Sequence, residues 1–324
     1  MEVIVGLENV ICEPNSCVTV GSFDGVHIGH QRIIRRMRGN GHRPVTVVTF
    51  SPHPQTVVRK DAIAPPQLTT FDERNEMFAH FQVDRLVIVK FDKQFAKISP
   101  EEFITDVLIE RVGLKAIFVG PTHGFGKGRQ GDVEMLAELG KKHDFTLDVV
   151  DPIKRDGGLV SSSRIRKLLA TGDAHSAWRY LGQPYYFSGT IVKGDQRGKG
   201  LGFPTANIEP ASEEKLKPPP GIYVTVAEVQ GRRYPSVSHF GERPTFADAD
   251  PAIETHIIGF DEDIYGEYLR VGLVERLRDI IAFNGVEDLV AQMFKDRDAA
   301  SARLMQLGFG SDANFLNRRF GRLE

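Results

Sequence analysis

The pattern of apolar residues changes at Gly182-Gln183-Pro184, and this change constrains the fold more than any other feature of the chain. Before it, short apolar runs recur between amphipathic stretches, which is typical of a parallel α/β sheet. After it, runs rich in Tyr, Val, Ile and Thr alternate with Gly/Pro clusters, which indicates an antiparallel sheet or small barrel. A chain of 324 residues is long enough for two cores. We therefore expect one domain at 1–182 and another at 183–324.

Strands are predicted where apolar runs are short and bounded by polar or glycine-containing segments. In the first half these runs are CVTVG (17–21), VTVVTF (45–50), RLVIVKF (85–91), AIFVG (116–120) and TLDVVD (146–151). In the second half they are YYFSGTIVKG (185–194), GIYVTVAEVQG (221–231), RRYPSVSHFG (232–241), IETHIIGF (253–260) and YLRVGLVERLR (268–278).

Helices are predicted from local end signals and from periodicity. Ser99, followed by Pro100 and by Glu102 three residues after the serine, forms a capping signature in front of the apolar-periodic segment 103–112. Apolar residues also recur with helical spacing from Val286 to about Leu307, which predicts an amphipathic closing helix.

Charge and cysteine content exclude several classes of protein. Lys and Arg number 41 against 43 Asp and Glu, a net charge of -2, so no overall basic field favours nucleic acid or an anionic membrane. Cys12 and Cys17 are too few for a disulfide framework. No run of about 18 apolar residues and no secretory leader pattern occurs. We expect a cytoplasmic protein with no nucleic-acid or membrane partner, and the sequence leaves open whether it forms a homo-oligomer.

The strand at 17–21 leads into the segment SFDGVHIGH (22–30), after which QRIIRRM is helix-like. His27 and His30 therefore lie at or just inside a helix N-terminus. Backbone N–H groups there favour phosphate, and imidazoles at this point can donate hydrogen bonds to a phosphoryl group during transfer. From the residues alone, ordinary loop and helix histidines remain an alternative. A zinc site is disfavoured because no HExxH glutamate or cysteine pair is nearby.

A second helix start with phosphate-binding residue types lies at 161–166. Ser161 or Ser162 is a good N-cap, and Arg164 offers a planar fork to phosphate oxygens. A capped surface helix is the alternative. The glycine-rich segment 124–131 is not a P-loop, because Pro121 and Gly128 stand where that motif needs Gly and Ser or Thr.

The phrases GSFDGVHIGH (21–30) and VSSSRIRKLL (160–169), in this order, resemble the HxGH nucleotidyltransferase superfamily. VTFSPHP (48–54) and GFGKGRQGD (124–132) resemble its FMN adenylyltransferase branch. The resemblance implies a doubly wound parallel sheet, with His27 and His30 as catalytic residues. It implies ATP contacts at Ser22, Phe23, Gly25, Ser162, Ser163 and Arg164, and flavin contacts at Thr122, His123 and Phe125.

The segment from Gly194 to Asn207 carries glycines, two cations and a Thr/Asn pair directly after a predicted strand. Glycines allow backbone amides to approach phosphate, while Thr205 and Asn207 offer oxygen ligands to a hard cation such as Mg²⁺. A dinucleotide-binding fold is not indicated, because no helix with a downstream acidic residue follows these glycines.

GKGLGFPTANI (198–208) is close to the riboflavin kinase signature, and four later phrases follow in the order that this family shows: GIYVTV (221–226), GERPTF (241–246), ETHIIGFDEDIYG (254–266) and LRDIIAF (277–283). The resemblance implies a six-stranded antiparallel barrel with a C-terminal helix, and Glu254 as catalytic base. A solvent-facing residue is the alternative for Glu254. The further contacts that it implies are ATP binding by Gly198, Lys199, Gly200 and Gly202, metal binding by Thr205 and Asn207, and flavin binding by Arg278.

Together the two halves resemble the bacterial bifunctional FAD synthetase family. Membership implies ATP as co-substrate, Mg²⁺ as cofactor, riboflavin as substrate, and FMN and FAD as products. Two departures concern the flavin side. Thr122 and His123 stand where the family has Asp or Asn and then Phe, and Ile280 replaces an acidic residue. The alternatives are a monofunctional riboflavin kinase with a degenerate first domain, and a flavin- or nucleotide-binding regulator without turnover.

Overall fold

The computed structural model describes residues 1–58, 65–194, 197–241 and 252–309. The chain forms two compact units, Met1–Ser162 and Ser163–Glu324. This division lies earlier than residue 182, where the sequence pattern changes, and a domain boundary at 182 stays a prediction. Within the described ranges, no helix has both the length and the apolar character needed to cross a membrane.

The N-terminal unit contains a six-stranded parallel sheet. Its strands are β1 (Glu2–Val5), β2 (Ser16–Val20), β3 (Val45–Ser51), β4 (Arg85–Lys90), β5 (Leu114–Val119) and β6 (Thr146–Val149). Their order is β1-β4-β3-β2-β5-β6. The chain therefore builds outward from β2 in one direction, then returns to the other side of β2 with β5, which confirms the doubly wound arrangement.

Helices connect these strands. After β6 the chain forms a two-stranded hairpin of β7 (Lys154–Arg155) and β8 (Gly158–Leu159). They are α1 (Ile28–Arg38), α2 (Pro54–Val58), α3 (Phe71–His80), α4 (Pro100–Glu102, continued by a π-helical stretch at Phe103–Val112) and α5 (Val133–His143). Short 3₁₀ turns lie at Leu7–Asn9, Phe95–Lys97 and Lys127–Arg129. The core contains Val18 and Ile117 of the central strands and Leu108 of α4.

The C-terminal unit contains a closed six-stranded antiparallel barrel, which confirms the predicted architecture. Its strands, in the order β10-β13-β12-β11-β14-β9, are β9 (Tyr185–Val192), β10 (Ala206–Pro210), β11 (Gly221–Val229), β12 (Arg232–Gly241), β13 (Ala252–Ile257) and β14 (Tyr268–Arg278). The last helix of the described chain, α9 (Val286–Gln306), buries Ala300 and Leu304 against Val224 and Val274.

Three further helices belong to this unit or begin at its edge: α6 (Ser162–Ala170), α7 (Ala174–Leu181) and α8 (Arg197–Gly200). Helix α7 packs against β14 and β9. Gly172 precedes α7 with φ +80°, and a Cβ there would lie 2.7 Å from Cδ of Arg276. Gly172 and helix α7, which precede the first barrel strand, therefore pack against the barrel.

The predicted capping signature at Ser99 is confirmed. Its hydroxyl accepts the Glu102 N–H at 3.2 Å, and the Glu102 carboxylate accepts the Ser99 N–H at 2.9 Å. Ser99→Ala removes one side of this exchange and should lower the free energy of unfolding by about 1 kcal/mol in chemical denaturation. Ser99→Asp keeps an acceptor and serves as the control. Equal loss in both variants would contradict the capping role.

Candidate active sites

The first candidate site lies where the sheet of the N-terminal unit changes winding direction. β2 and β5 are neighbours, and the loops that leave their carboxyl ends are residues 21–27 and 120–126. In open α/β sheets, ligands bind outside the carboxyl ends of strands at this switch point. The predicted histidines and the predicted flavin loop therefore follow neighbouring strands at the same edge of the sheet.

The turn from β2 into α1 uses unusual backbone. Phe23, Gly25 and Val26 have φ values of 50°, 81° and 35°, in the left-handed region that L-residues disfavour. The turn ends at His27, which is the N-cap of α1 and accepts the His30 N–H at Nδ1 over 3.3 Å. The predicted position of both histidines at a helix start is thus confirmed.

His27 and His30 form a stacked pair with ring centroids 3.6 Å apart and an interplanar angle of 15°. Phe23 meets the His30 ring edge-on at 4.9 Å. Burial lowers the pKa of His27 to about 4, against small opposing effects from its own backbone and Asp24. Burial, then His27, hold the pKa of His30 well below its ordinary value. Both rings are neutral at pH 7, and because Nδ1 of His27 accepts a hydrogen bond, its proton lies on Nε2.

The turn is held by contacts that no short motif indicates. The buried Asp24 carboxylate accepts the Leu68 and Thr69 N–H groups, each at 3.0 Å. Arg74 of α3 donates to the Ser22 carbonyl at 3.0 Å. These partners are 44 to 52 residues distant in sequence, so only the folded chain reveals them.

The second phosphate-binding candidate, the start of α6, makes a hydrogen bond within the N-terminal unit. The Ser162 hydroxyl donates to the Asp24 carbonyl at 2.8 Å, so its proton anchors the turn. Ser163 and Arg164 are exposed and belong to the C-terminal unit, where the Arg164 guanidinium lies 5.6 Å from the centre of the Tyr180 ring. Their contacts with ATP stay predictions.

The loop after β5 presents aromatic residues. His123 stacks on the buried Phe125 at 5.9 Å with an interplanar angle of 19°. Burial, then Arg129, lower the pKa of His123 to about 4, so it too is a neutral flat ring. Thr122 is exposed, and its carbonyl accepts from Arg129 at 3.2 Å. Phe125 continues a row of ring contacts through Phe103, Phe95, Phe91 and Phe50.

The second candidate site lies on the barrel. β10 and β13 are paired so that Asn207 stands opposite Glu254. Thr205 Oγ1 lies 3.5 Å from Glu254 Oε2, so the hydroxyl meets the carboxylate, and Asn207 stands beside Glu254 on the neighbouring strand. On β13, Ile253, Thr255 and Ile257 are buried, and the half-buried Glu254 lies on the other face. Its contact with Thr205 disfavours a merely solvent-facing role.

The glycine segment before β10 forms a tight turn. The Phe203 N–H donates to the Gly198 carbonyl at 2.8 Å, and a Cβ on Gly198 would lie 2.3 Å from the Phe203 oxygen. Gly202 has φ +74°, and Gly200 has open space around it. These features suit close approach of a phosphate to the backbone. The Lys199 side chain and residues 242–246 of the phrase GERPTF lie outside the described part of the chain.

His256, which the sequence interpretation missed, supports this turn. Its Nδ1 lies 2.9 Å from the Pro204 carbonyl, and its ring lies 4.1 Å from that of Phe203. Phe203 in turn contacts Phe294 of α9 at 5.1 Å. His256 on β13 therefore fixes the position of Pro204, the residue before Thr205.

Arg278, predicted to bind flavin, is engaged elsewhere. Its guanidinium makes a double contact with the buried Asp296 of α9, at 2.6 Å and 3.0 Å, and donates to the Asp279 carbonyl at 2.9 Å. This fork fixes α9 to β14. Flavin contact by Arg278 stays a prediction, and its paired state favours an anchoring role.

A switch-point α/β unit with a neutral histidine pair, joined to a barrel with a Thr/Asn/Glu cluster, defines a transferase of two separate nucleotide-using domains. The FAD synthetase family model matches residues 11–164, and the riboflavin kinase family model matches residues 181–304. The chain belongs to the bifunctional riboflavin kinase/FMN adenylyltransferase family.

Relatives of that description match nearly the whole chain. The Escherichia coli (strain K12) protein is 33% identical over 302 residues, 91% of this chain and 96% of its own. The Listeria monocytogenes protein is 33% identical over 90% of this chain and 94% of its own. A crystal structure described as a macrolide-efflux protein from Streptococcus pneumoniae shares 28% identity and a TM-score of 0.84, covering 93% of this chain and 99% of that one.

The loop after β5 offers a matched pair of glycines. Gly126 has φ +69°, and a Cβ there would lie 2.6 Å from backbone atoms of Pro100, whereas Gly128 has φ +62° and nothing within 4 Å. Both alanine variants incur left-handed strain, but only Gly126→Ala also forces the loop off α4. Gly126→Ala should be more destabilising in thermal unfolding, by about 1–3 kcal/mol. Equal effects would show that the loop is not docked on α4.

The lowered pKa of His27 predicts a pH dependence. As pH falls from 6.5 to about 4, the unfolded chain binds a proton at His27 that the folded chain does not, so stability falls in this window and is unaffected above it. His27→Asn keeps an N-cap acceptor without titrating. Denaturation midpoints of the variant should therefore fall less steeply than wild type between pH 6.5 and 4. Parallel slopes would contradict a buried neutral His27.

Proposed function

We propose that the barrel transfers the γ-phosphate of ATP to riboflavin, giving FMN and ADP, and that the α/β unit transfers AMP from a second ATP to FMN, giving FAD and pyrophosphate. The observation that carries this proposal is the presence in one chain of two groups of side chains suited to phosphate chemistry. They are the neutral His27/His30 pair at the switch point and the Thr205/Asn207/Glu254 cluster on the barrel.

In the kinase reaction, Glu254 accepts the proton of the riboflavin 5′-hydroxyl as that oxygen attacks the γ-phosphorus and the bond to ADP breaks. Phosphoryl transfer depends mainly on positioning and charge neutralisation. The hydroxyl of Thr205 and the amide of Asn207 offer the oxygen donors that Mg²⁺ prefers, so these residues fit that ion. A bound Mg²⁺ would supply neutralisation of phosphate charge there.

In the adenylyl reaction, a phosphate oxygen of FMN attacks the α-phosphorus of ATP and pyrophosphate leaves. His27 and His30 act as neutral hydrogen-bond donors to charge that develops during transfer, since their low pKa values exclude imidazolium at pH 7. The N-terminus of α1 adds backbone N–H groups aimed at the same region.

The alternatives receive less support. The degenerate-domain interpretation rested on the altered loop at Thr122 and His123, yet His123 places a flat neutral ring on Phe125. A regulator without turnover would not need Glu254 beside Thr205. A cytoplasmic location is part of the proposal, because Cys12 and Cys17 are free thiols, which a reducing compartment preserves.

Two variants separate the reactions. Glu254→Gln keeps the shape of the side chain but removes the base, so FMN formation should fall roughly 10²-fold or more while supplied FMN is still adenylylated. His30→Ala should lower the kcat of FAD formation about 10²-fold while FMN formation continues. ADP and pyrophosphate release measure the two steps. If either variant lost both activities, or neither, the assignment of one reaction to each unit would fail.

The flavin loop gives a graded prediction. Thr122→Asn with His123→Phe restores the residue types of the family and adds ring area and polar reach. We expect the KM for FMN to fall roughly 2- to 15-fold, the scale of one hydrogen bond, while the KM for ATP and the kinase step stay unchanged. An unchanged KM for FMN would place the loop outside the flavin site.

A further inference from the structure

The turn between β2 and α1 needs support from outside itself. Phe23 and Val26 have positive φ, a conformation that disfavours residues with a side chain, and they stand on either side of Asp24 and Gly25. Strained backbone of this kind persists only where surrounding contacts hold it, and such strain clusters at functional sites. The contacts that hold Asp24 and Gly25 therefore bear on where His27 and His30 lie.

Thr69 makes those contacts. Its hydroxyl donates to Asp24 Oδ1 at 3.1 Å and accepts the Gly25 N–H at 3.0 Å, and its own N–H donates to Asp24 Oδ1 at 3.0 Å. Asp24 and Thr69 are each only 4% exposed. Water does not compete for these bonds, and a lost partner would leave a buried polar group unsatisfied.

The hydrogen-bond roles are complementary. A carboxylate only accepts and a backbone N–H only donates, so a group placed between them must both donate and accept, which a hydroxyl does. Among side chains of similar shape, serine meets this requirement. Valine matches threonine in volume but can do neither.

We infer that Thr69 is a positioning residue for adenylyl transfer: its hydroxyl links the Asp24 carboxylate to the Gly25 N–H and so holds the strained turn that places His27 and His30. This inference rests on the proposed adenylyltransferase function. Thr69 lies on the segment before α3, outside the motifs that carry the family resemblance, and acts through the turn without touching substrate.

The test compares three variants of the full chain. Thr69→Val removes the link at nearly constant shape, and Thr69→Ser retains it. Thr46→Val is the control, because the Thr46 hydroxyl is fully buried in the same unit and has no hydrogen-bond partner among the described residues. Riboflavin kinase activity of each sample measures the amount of folded barrel, and circular dichroism with the melting temperature reports whether the N-terminal unit is folded. FAD formation from FMN and ATP is followed with kcat and KM determined separately.

We expect Thr69→Val to lower the adenylylation kcat by roughly 10- to 100-fold, the scale of a misplaced catalytic group, with the KM for ATP changed less than about threefold. The adenylylation kcat of Thr69→Ser should stay within about threefold of the wild-type value, and that of Thr46→Val should equal the wild-type value. If Thr69→Val misfolds, as circular dichroism would show, Thr69→Ala is measured against the same criteria.

Other outcomes overturn the inference. An unchanged kcat in the valine variant, or a kcat lowered equally in the serine and valine variants, would mean that the hydroxyl does not position the histidines. A lower melting temperature with an unchanged kcat would assign Thr69 a structural role alone. Absence of FAD formation in the wild-type chain would instead refute the proposed function itself.

Discussion

The Asp24 carboxylate fixes the geometry on which the N-terminal site depends. It is buried at the carboxyl end of the central strand β2 and accepts N–H groups from the segment before α3. The backbone carbonyl of Asp24 accepts a hydrogen bond from the Ser162 hydroxyl. Segments far apart in sequence thus converge on one residue of a strained turn. That turn decides where α1 begins, and therefore where the stacked, uncharged histidine pair lies.

The barrel solves a related problem with strand register. Pairing of β10 with β13 places Asn207 opposite Glu254, while the turn closed by Gly198 and Phe203 brings Thr205 to the same place. The two units therefore bring their candidate site residues together differently. The parallel sheet uses a helix start at its switch point, and the barrel uses oxygen-bearing side chains on neighbouring strands.

Much of this fold could be predicted from the sequence because its signals are local. The central parallel strands are buried on both faces and read as continuous apolar runs, and the Ser99 cap acts over three residues. β1 was not predicted, because this short edge strand buries only Ile4. β10 was also missed as a strand, since its sequence begins with Ala206 and Asn207 and ends with Pro210.

For the candidate sites, the sequence predicted the residues that lie in motifs. The histidines lie at the helix start, as expected, Thr205 contacts Glu254, and Asn207 pairs opposite Glu254. The supports could not be predicted, because Thr69, Arg74 and His256 act over separations that no local pattern encodes. Arg278 shows the same difficulty, since its partner Asp296 lies on a different element.

The central claim, that one chain carries out both transfers, is tested most directly by following the flavins over time. Purified full-length chain is incubated with riboflavin, excess ATP and Mg²⁺, and riboflavin, FMN and FAD are separated by chromatography at successive times. The account predicts that FMN rises first and is then converted to FAD, with one pyrophosphate released per FAD formed. Accumulation of FMN with no FAD, or riboflavin left unchanged, would contradict it.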